Sequence, residues 1–217
     1  MPKQKNYQQA FDLACASLKG KDLKERAALA GAGYRMTGEG EEISLPFFLE
    51  PYAIRFPQID FSSRKQKTVS LVVRVLLLHH LLHADGSPIT GKWVSYKDIP
   101  GGLLYAGVFA RRVTEPLVKK FERSAKLFQE AGRRLGGEYA GVGDASFSLR
   151  ALPRISLQYV LWEGDDEFPP SVQLLFDSSV DHYFPLEDIV VLGQITAGRL
   201  ISLSNRGSDG IPDRSSP

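Results

Sequence analysis

The segment VSLVVRVLLLHHLLHA, which runs from Val69 to Ala84, restricts the fold more than any other part of the chain. Its apolar residues would lie on every side of a helix, a pattern typical of a helix that is buried on most of its surface. The segment is shorter than the roughly 20 apolar residues that cross a bilayer, and Arg74 and histidines interrupt it. The pattern therefore predicts a buried central helix that ends near Asp85 and Gly86.

Amphipathic helices and strands surround this segment. Periodicity predicts helices over residues 6–18, 23–30, 103–114 and 116–135, and from Pro185 onward. Alternating apolar residues predict a small antiparallel meander between residues 34 and 61, and further strands near 147–149, 155–161 and 172–176. Pro46 and Pro57 favour edge strands, because proline has no N–H to donate to a neighbouring strand. The predicted fold class is α+β, with one or more antiparallel sheets packed against helices.

The composition fits one globular domain with a short tail. Of the 217 residues, 43% are hydrophobic and 24% are charged, which is ordinary for a globular protein. We expect residues 1–204 to form a single α+β domain and residues 205–217 to form a flexible C-terminal tail. The net charge of +2 excludes a protein that works by bulk charge. No secretory signal is predicted, and the single cysteine excludes an intramolecular disulfide and fits a reducing cytoplasm.

Two histidines of the predicted central helix are candidate metal ligands. His79 and His83 are four residues apart, so both imidazoles face the same side of a helix. The glutamate of the HExxH hydrolases is missing, because His80 follows His79. A metal would need further ligands, such as Asp85 or His182. The competing interpretation, which we favour, is a helix end with hydrogen-bonded or partly solvated imidazoles.

An acidic loop, WEGDDEFPP, is the second candidate site. Asp165, Asp166 and Glu167 offer the hard oxygen ligands that Mg²⁺ or Ca²⁺ accepts, so a divalent-metal-dependent enzyme is one hypothesis. The spacing does not match that of an EF-hand loop. Gly164 followed by Asp165 is typical of a turn, and the two prolines cannot extend a strand ladder. These features favour a structural connection.

Basic side chains recur between residues 111 and 134, where Lys119, Arg123, Lys126 and Arg133 would share one side of a long helix. RNA, or a ligand that carries phosphate, is the corresponding hypothesis. Glutamates dilute the charge, and no aromatic residue lies among the exposed positions to stack on bases, as single-strand binders require. The pattern favours an ordinary solvated helix face and disfavours nucleic acid as a partner.

The segment from Gly91 to Arg112 is the best candidate for a ligand pocket. Pro100, Gly101 and Gly102 precede a predicted helix whose free N–H groups could hold an anion. The lysine that follows the glycines of a P-loop is missing. Aromatic residues and arginines nearby would suit a flat or anionic small molecule, while the competing interpretation places the aromatic residues in the core.

Three blocks occur in a characteristic order and spacing. They are LLLHHLLHADGSPITGKWVSYKDIPGG from Leu76, LPRISLQYVLWEGDDEFPPSVQLLFD from Leu152, and YFPLEDIVVLG from Tyr183. Together they resemble an uncharacterised prokaryotic domain family, a domain of unknown function found chiefly in anaerobes, over most of residues 5–203. The residues that belong to these blocks include Trp93, Pro100, Gly101, Gly102, Trp162, Gly164, Asp165, Glu167, Phe168 and Asp177.

This resemblance implies a metabolic setting and no reaction. Some members of the family look like fusions to a small four-iron–four-sulfur domain, which links the family with corrinoid and iron–sulfur metabolism. The present chain has one cysteine and cannot itself carry such a cluster. The family has no established reaction, so the resemblance supplies no catalytic residues and no cofactor.

These observations predict a cytoplasmic binding module without chemistry of its own. It would hold a cofactor-like small molecule or dock on a redox or methyl-transfer protein partner, and no membrane partner is expected. We expect the segments around Trp93 and Trp162 to converge on one shared recess. The predicted ligand-binding residues are Trp93, Tyr96, Gly101, Gly102, Tyr105, Arg112, Trp162, Asp165 and Glu167.

Overall fold

Helices and two antiparallel sheets make up the part of the chain that the computed structural model describes, residues 2–65 and 68–205. The helices are α1 (Pro2–Leu18), α2 (Leu23–Ala30), α3 (Leu71–His83), α4 (Ala106–Phe109), α5 (Glu115–Phe121), α6 (Ala125–Arg134) and α7 (Leu186–Asn205). The strands are β1 (Gly33–Thr37), β2 (Gly40–Phe47), β3 (Glu50–Phe56), β4 (Asp60–Ser63), β5 (Trp93–Ser95), β6 (Glu138–Tyr139), β7 (Ala145–Leu152), β8 (Ile155–Trp162) and β9 (Ser171–Asp177). The predicted α+β class is confirmed.

The buried central helix predicted from residues 69–84 is α3, which contacts α1, α2 and α7. Its buried side chains are Val73, Val75, Leu76, Leu77, Leu78, His80 and Leu81. The last carbonyl groups of a helix have no partner within it. Here Arg26 of α2 donates hydrogen bonds to the carbonyl oxygens of Leu81, Leu82 and Ala84, at 2.8, 2.9 and 2.6 Å. This contact joins α2 to the end of α3.

The first sheet is the predicted meander, with strand order β1-β2-β3-β4. Pro46 lies in β2, an inner strand, at a point beyond the last residue that pairs with β1, where Gly33 lies opposite Ser44. Among the described strands, none therefore pairs with one side of Pro46, which explains why an inner strand tolerates proline. The main-chain N–H of Phe48, just after β2, donates to the carbonyl oxygen of Ala151 at 2.7 Å and connects this sheet to β7.

The second sheet has the strand order β5-β9-β8-β7-β6. Tyr159 of β8 lies opposite Phe147 of β7 on one side and Leu174 of β9 on the other, so these three side chains share a face. That face packs against α5, α6 and the segment before α5, and all three side chains are buried. Buried side chains of both sheets belong to one hydrophobic cluster. The division into one domain stays a prediction.

The long helix predicted over residues 116–135 is two helices, so that prediction is wrong. α5 ends at Phe121, and α6 begins after Ser124, whose Oγ accepts a hydrogen bond from the N–H of Leu127 at 3.3 Å. Serine is a favoured N-cap residue because its side chain satisfies an otherwise free N–H of the first turn. The break prevents the basic residues between 111 and 134 from sharing one helix face.

Among the described residues, no helix combines the length and the apolar character that crossing a membrane requires. The predicted tail, residues 205–217, lies outside the described residues except for Asn205, which ends α7.

The buried imidazole of His80 makes stability depend on pH. Its Nε2 donates to the carbonyl oxygen of Ala30 at 3.1 Å, and its ring packs against Tyr183 and Phe184. Burial lowers the pKa of His80 from 6.5 to about 4. Between these values the unfolded chain binds a proton that the folded chain does not. The free energy of unfolding should therefore fall by about 3 kcal/mol as the pH drops through this window.

Urea denaturation at pH 7 and near pH 4 measures this effect in wild type and in His80→Phe. The phenyl ring cannot be protonated, so the fall should largely disappear, although the free carbonyl of Ala30 lowers stability at pH 7 by about 1 kcal/mol. His182→Gln is the control. The hydrogen bond to Asp85 raises the pKa of His182, so His182 does not cause a loss of stability as the pH drops. The variant should therefore show the same decrease in the free energy of unfolding as the wild type. An unchanged fall in His80→Phe would show that another group causes it.

Candidate functional site

Strand β5 ends before its neighbour β9 does. Trp93 lies opposite Asp177 and Ser95 opposite Leu175, and there the pairing stops. In the described part of the chain no strand pairs with this side of β9 from Ser171 to Leu174. A recess of about 440 Å³ lies where β5 would otherwise continue, and we call it the β9 recess. It is lined by Trp93, Ser95, Tyr96, Lys97, Asp98, Ala106, Phe109, Thr114, Val172, Gln173, Leu174 and Leu175.

A capping box turns the chain away from β9 after Ser95. The Oγ of Ser95 donates to the carboxylate of Asp98 at 2.5 Å, and its main-chain N–H donates to the same carboxylate at 3.2 Å. A 3₁₀ turn covers the residues Tyr96–Asp98. The hydrogen bond from the Ser95 hydroxyl holds the pKa of Asp98 below its ordinary value. Because Ser-x-x-Asp is visible in the sequence, this signal could have predicted where β5 ends.

Tyr96 and Phe109 form the buried floor of the β9 recess. Their rings stack, with 4.4 Å between centroids and 7° between planes, and Phe109 packs edge-on against Phe176. Burial raises the pKa of the Tyr96 hydroxyl. Trp93 is at the rim and is 37% exposed. The recess therefore offers an aromatic surface on which an apolar group can pack.

Gly101 and Gly102 close the turn beside Tyr96. A Cβ on Gly102 would lie 1.9 Å from the carbonyl oxygen of Tyr96, and Gly101 has a φ of +81°, which favours glycine. The segment that follows is a 3₁₀ turn over Gly102–Tyr105 and then the short α4. These glycines thus serve the turn. The anion-binding role expected of them stays a prediction.

The helical segment from Gly102 to Phe121 forms the second wall of the recess. Residues 110–114 make a π-helical turn directly before α5, whose second residue is Pro116. Proline has no N–H and crowds the carbonyl group four residues earlier, here that of Arg112, so the wider turn relieves the crowding. Such π turns are frequent at functional sites. Thr114 lines the recess, whereas Arg112 is exposed and lies outside the lining.

Three consecutive apolar side chains are exposed beside the β9 recess. The exposed fractions of Leu103, Leu104 and Tyr105 are 71%, 86% and 54%. They directly precede Ala106, which lines the recess, but they are not themselves part of the lining. We call these three residues the apolar rim. Adjacent exposed apolar groups are typical of interaction surfaces.

The structure brings together only some of the predicted ligand-binding residues. Trp93 and Tyr96 line the β9 recess, and Gly101, Gly102 and Tyr105 lie in the adjoining turn. The expectation that Trp93 and Trp162 share a recess is wrong. Trp162 lies opposite Ser171, six positions along β9 from the partner of Trp93, a distance of about 20 Å.

The acidic loop between β8 and β9 makes local contacts. Glu163 Oε1 accepts a hydrogen bond from the N–H of Ala125, the first residue of α6, at 2.6 Å. The Asp165 carboxylate accepts hydrogen bonds from the N–H groups of Phe168 and Glu167, which lower its pKa. A carboxylate at a helix N-terminus is favourable because it faces free N–H groups. No local sequence pattern predicts this capping role of Glu163, because it lies 38 residues from Ala125.

The histidines hold helices and loops together. His79 Nδ1 donates to Asp188 in the first turn of α7 at 2.7 Å, and the ring of His83 packs edge-on against that of His79. His182 Nδ1 donates to Asp85 at 2.7 Å. Within residues 2–65 and 68–205, no group of three or more His, Cys, Asp or Glu side chains could hold a metal ion. The metal-dependent enzyme stays a prediction.

A larger hollow of about 880 Å³ lies along α6 and is bordered by Ser204 near the end of the described chain. None of the predicted ligand-binding residues lines it. The β9 recess, which contains Trp93 and Tyr96, is therefore the candidate site.

The comparison with known proteins identifies a family and assigns no activity. A family model described as "Domain of unknown function (DUF3786)" matches residues 22–199. This range includes the β9 recess and the apolar rim. No curated protein and no solved structure matches the chain.

Proposed function

The chain belongs to this family of domains of unknown function, as its sequence blocks predicted, and we propose that it is a docking module that takes an extended segment of a partner protein into the β9 recess. The adjacent hydroxyl and carboxylate of the site, those of Ser95 and Asp98, form the capping box that ends β5, so we propose binding and no chemistry. A redox or methyl-transfer protein of corrinoid or iron–sulfur metabolism is the partner that the sequence resemblance implies. The anaerobic setting and the cytoplasmic location belong to the same proposal.

The open edge of β9 is the observation that carries this proposal. A strand edge presents unpaired N–H and C=O groups, which an added strand can satisfy. Peptide recognition by strand addition uses such main-chain hydrogen bonds for affinity and pockets for alternate side chains for specificity. Residues Ser171–Leu174 supply such an edge beside the recess, antiparallel to the direction in which β5 runs. A partner strand would therefore continue β5.

The apolar rim and Trp93 suit this role. Binding energy at protein interfaces concentrates in a few large side chains, among which tryptophan and tyrosine are enriched. Trp93 lies in β5 two residues before Ser95, after which the added strand would begin, and Leu104 is the most exposed side chain of the rim. We expect one apolar side chain of the partner to enter the recess above Tyr96, and a second to contact Leu104.

A flat, cofactor-like small molecule is the competing occupant. The volume of about 440 Å³ falls within the range of roughly 300–1,000 Å³ typical of ligand pockets. A small molecule would use the stacked rings of Tyr96 and Phe109 without needing the open edge of β9. The two occupants therefore differ in their dependence on main-chain hydrogen bonds.

Peptide selection tests the proposal. Short random peptides are selected on the full chain, and the strongest binder is synthesised with and without N-methyl groups on alternate main-chain nitrogens. Fluorescence anisotropy should show that one methylation pattern weakens binding about tenfold, because it removes the hydrogen bonds to β9. Leu104→Asp should weaken binding by a similar factor, since it places a charge on the apolar rim.

Leu13→Asp is the matched control. Leu13 is also an exposed leucine, 61% accessible, on α1, and its replacement should change the affinity less than about twofold. Equal affinity of the methylated and unmethylated peptides would contradict strand addition. Equal losses of peptide affinity in Leu104→Asp and Leu13→Asp would contradict the location of the binding site beside the apolar rim.

A further inference from the structure

A second recess, remote in sequence from the β9 recess, carries cationic side chains. It has a volume of about 340 Å³ and lies between the turn after β2, the end of α6 and the end of α7. Its apolar walls include Phe48, Leu135 and Leu203, and its cations are Lys65, Arg134 and Arg199. We call it the Arg199 recess.

The guanidinium group of Arg199 is partly buried and has spare hydrogen-bonding capacity. It lies over the rings of Phe47 and Phe48, at 4.8 and 4.5 Å from their centroids. Within the described part of the chain, no carboxylate oxygen lies within 4.0 Å of its nitrogen atoms. A guanidinium has five N–H donors, and burying a cation without a contacting anion is unfavourable.

The one carboxylate in the lining, Glu50, is already engaged. It accepts hydrogen bonds from Ser63 Oγ at 2.5 Å and from the N–H of Lys65 at 2.7 Å, and Lys65 Nζ lies 3.8 Å away. Burial alone would raise the pKa of Glu50, but these contacts leave it below its ordinary value, so the group is charged at neutral pH. Lys65 lies next to Glu50, and Arg134 shares the carboxylate of Glu130 with Arg133, so among the described lining residues Arg199 is the cation without a carboxylate partner.

The backbone at the rim of the Arg199 recess is strained. Phe48 has a φ of +57°, a conformation that is unfavourable for a bulky residue with a Cβ. Its N–H bond to Ala151 and the packing of its ring on Phe47, at 4.6 Å between centroids, hold it there. Strained residues cluster at ligand sites, where the surrounding structure maintains a conformation that binding uses. In this conformation the ring of Phe48 lies under the Arg199 guanidinium.

We propose that the Arg199 recess binds the phosphate group of a small organic phosphate. The planar guanidinium presents paired N–H donors that match phosphate oxygens, and a phosphate would supply the anion that the Arg199 guanidinium lacks in the described part of the chain. The apolar body of the ligand packs on Phe48 and Leu135. This site is independent of the proposed docking function of the β9 recess.

Calorimetric titration with phenyl phosphate at low ionic strength tests the site. Arg199→Lys keeps the charge and most of the packing but loses the planar fork, and it should weaken binding about tenfold. Arg134→Gln should weaken binding about fivefold through the lost cation. Arg133→Gln is the matched control, because Arg133 shares the ion pair of Arg134 with Glu130 but does not line the recess. It should change the affinity less than about twofold.

Phenol and benzoate separate the contributions of the ring and of the charge. We expect no measurable heat with phenol and binding by benzoate at least about tenfold weaker than by phenyl phosphate. No binding of phenyl phosphate to the wild type would overturn the proposal, as would benzoate or phenol binding as tightly. An equal loss in Arg133→Gln and Arg134→Gln would do the same, because it would indicate attraction to surface charge in general. Circular dichroism melting of each variant verifies that it is folded.

Discussion

Replacing Asp177 with Ala should lower the free energy of unfolding by about 4 kcal/mol. Asp177 is the last residue of β9 and is 1% exposed. Its carboxylate accepts hydrogen bonds from the N–H and hydroxyl groups of Thr90 and Ser179 and from the N–H of Gly91, at distances between 2.7 and 3.1 Å. Without the carboxylate these donors lose their partner, and Ser179, which is itself buried, carries the full desolvation cost of an unpaired donor.

The substitution should also disturb the β9 recess. Thr90 and Gly91 lie three and two residues before Trp93, the first residue of β5, which lies opposite Asp177. Releasing them removes the contact that sets where β5 begins. We expect faster amide hydrogen exchange over residues 90–95 in Asp177→Ala, and weaker binding of the selected peptide.

The pH dependence distinguishes Asp177 from His80. Burial alone would raise the pKa of Asp177, but the hydrogen bonds from Ser179, Thr90 and Gly91 leave it below its ordinary value. A carboxyl group with a lowered pKa stabilises the fold above its unfolded pKa of about 3.9, and this contribution is lost as the pH falls through the folded pKa. The loss therefore lies below the window in which His80 acts.

Chemical denaturation at pH 7 and near pH 3 measures both parts of this prediction. Asp177→Asn keeps the shape of the side chain but turns one acceptor into a donor, so about half of the loss is expected. Asp181→Ala, an exposed carboxylate four residues later, should change stability by less than about 0.5 kcal/mol. If Asp177→Ala and Asp181→Ala were equally stable, the carboxylate would not hold the loop before β5.

Local patterns were sufficient to predict most of the elements. The apolar segment from Val69 predicted α3, and the bounds of α2 agree with the prediction because Asp22 and Gly31 cap it visibly. The helix break at Ser124 was missed, although serine is a common N-cap residue. The helix break depends partly on Glu163, which accepts a hydrogen bond from the N–H of Ala125, 38 residues away in the sequence.

The positions of the candidate sites depend on strand register, which local sequence patterns do not specify. The pairing of Ser95 with Leu175 places an open edge beside Tyr96 and separates Trp93 from Trp162. That register follows from contacts between segments far apart in the chain, such as those of Asp177 with Thr90 and Gly91, which are 87 and 86 residues away. The Arg199 recess joins three elements in the same way. Composition and periodicity do not show which segments remote in the sequence contact each other in the fold.

Gly102→Ala should lower the free energy of unfolding more than any other addition of one methyl group at the β9 recess. Its Cβ would lie 1.9 Å from the carbonyl oxygen of Tyr96 and 3.0 Å from the carbonyl carbon. Since both atoms belong to the main chain, no side-chain rotation relieves the overlap. The turn must open, which should cost about 3 kcal/mol, the upper end of the usual range for overpacking. Opening it moves Tyr96 away from Phe109 and removes the floor of the recess.

Gly107→Ala is the control, five residues further along the same helical segment. A Cβ on Gly107 meets no atom within 4 Å, and in a helix alanine is more favourable than glycine by about 0.5–1 kcal/mol. Thermal unfolding should therefore give a lower melting temperature for Gly102→Ala and an unchanged or higher one for Gly107→Ala. Peptide binding should follow the same order, because Gly102 supports the turn beside Tyr96 and Gly107 does not. Wild-type stability together with wild-type peptide binding in Gly102→Ala would mean that the close approach of this turn to Tyr96 does not shape the site.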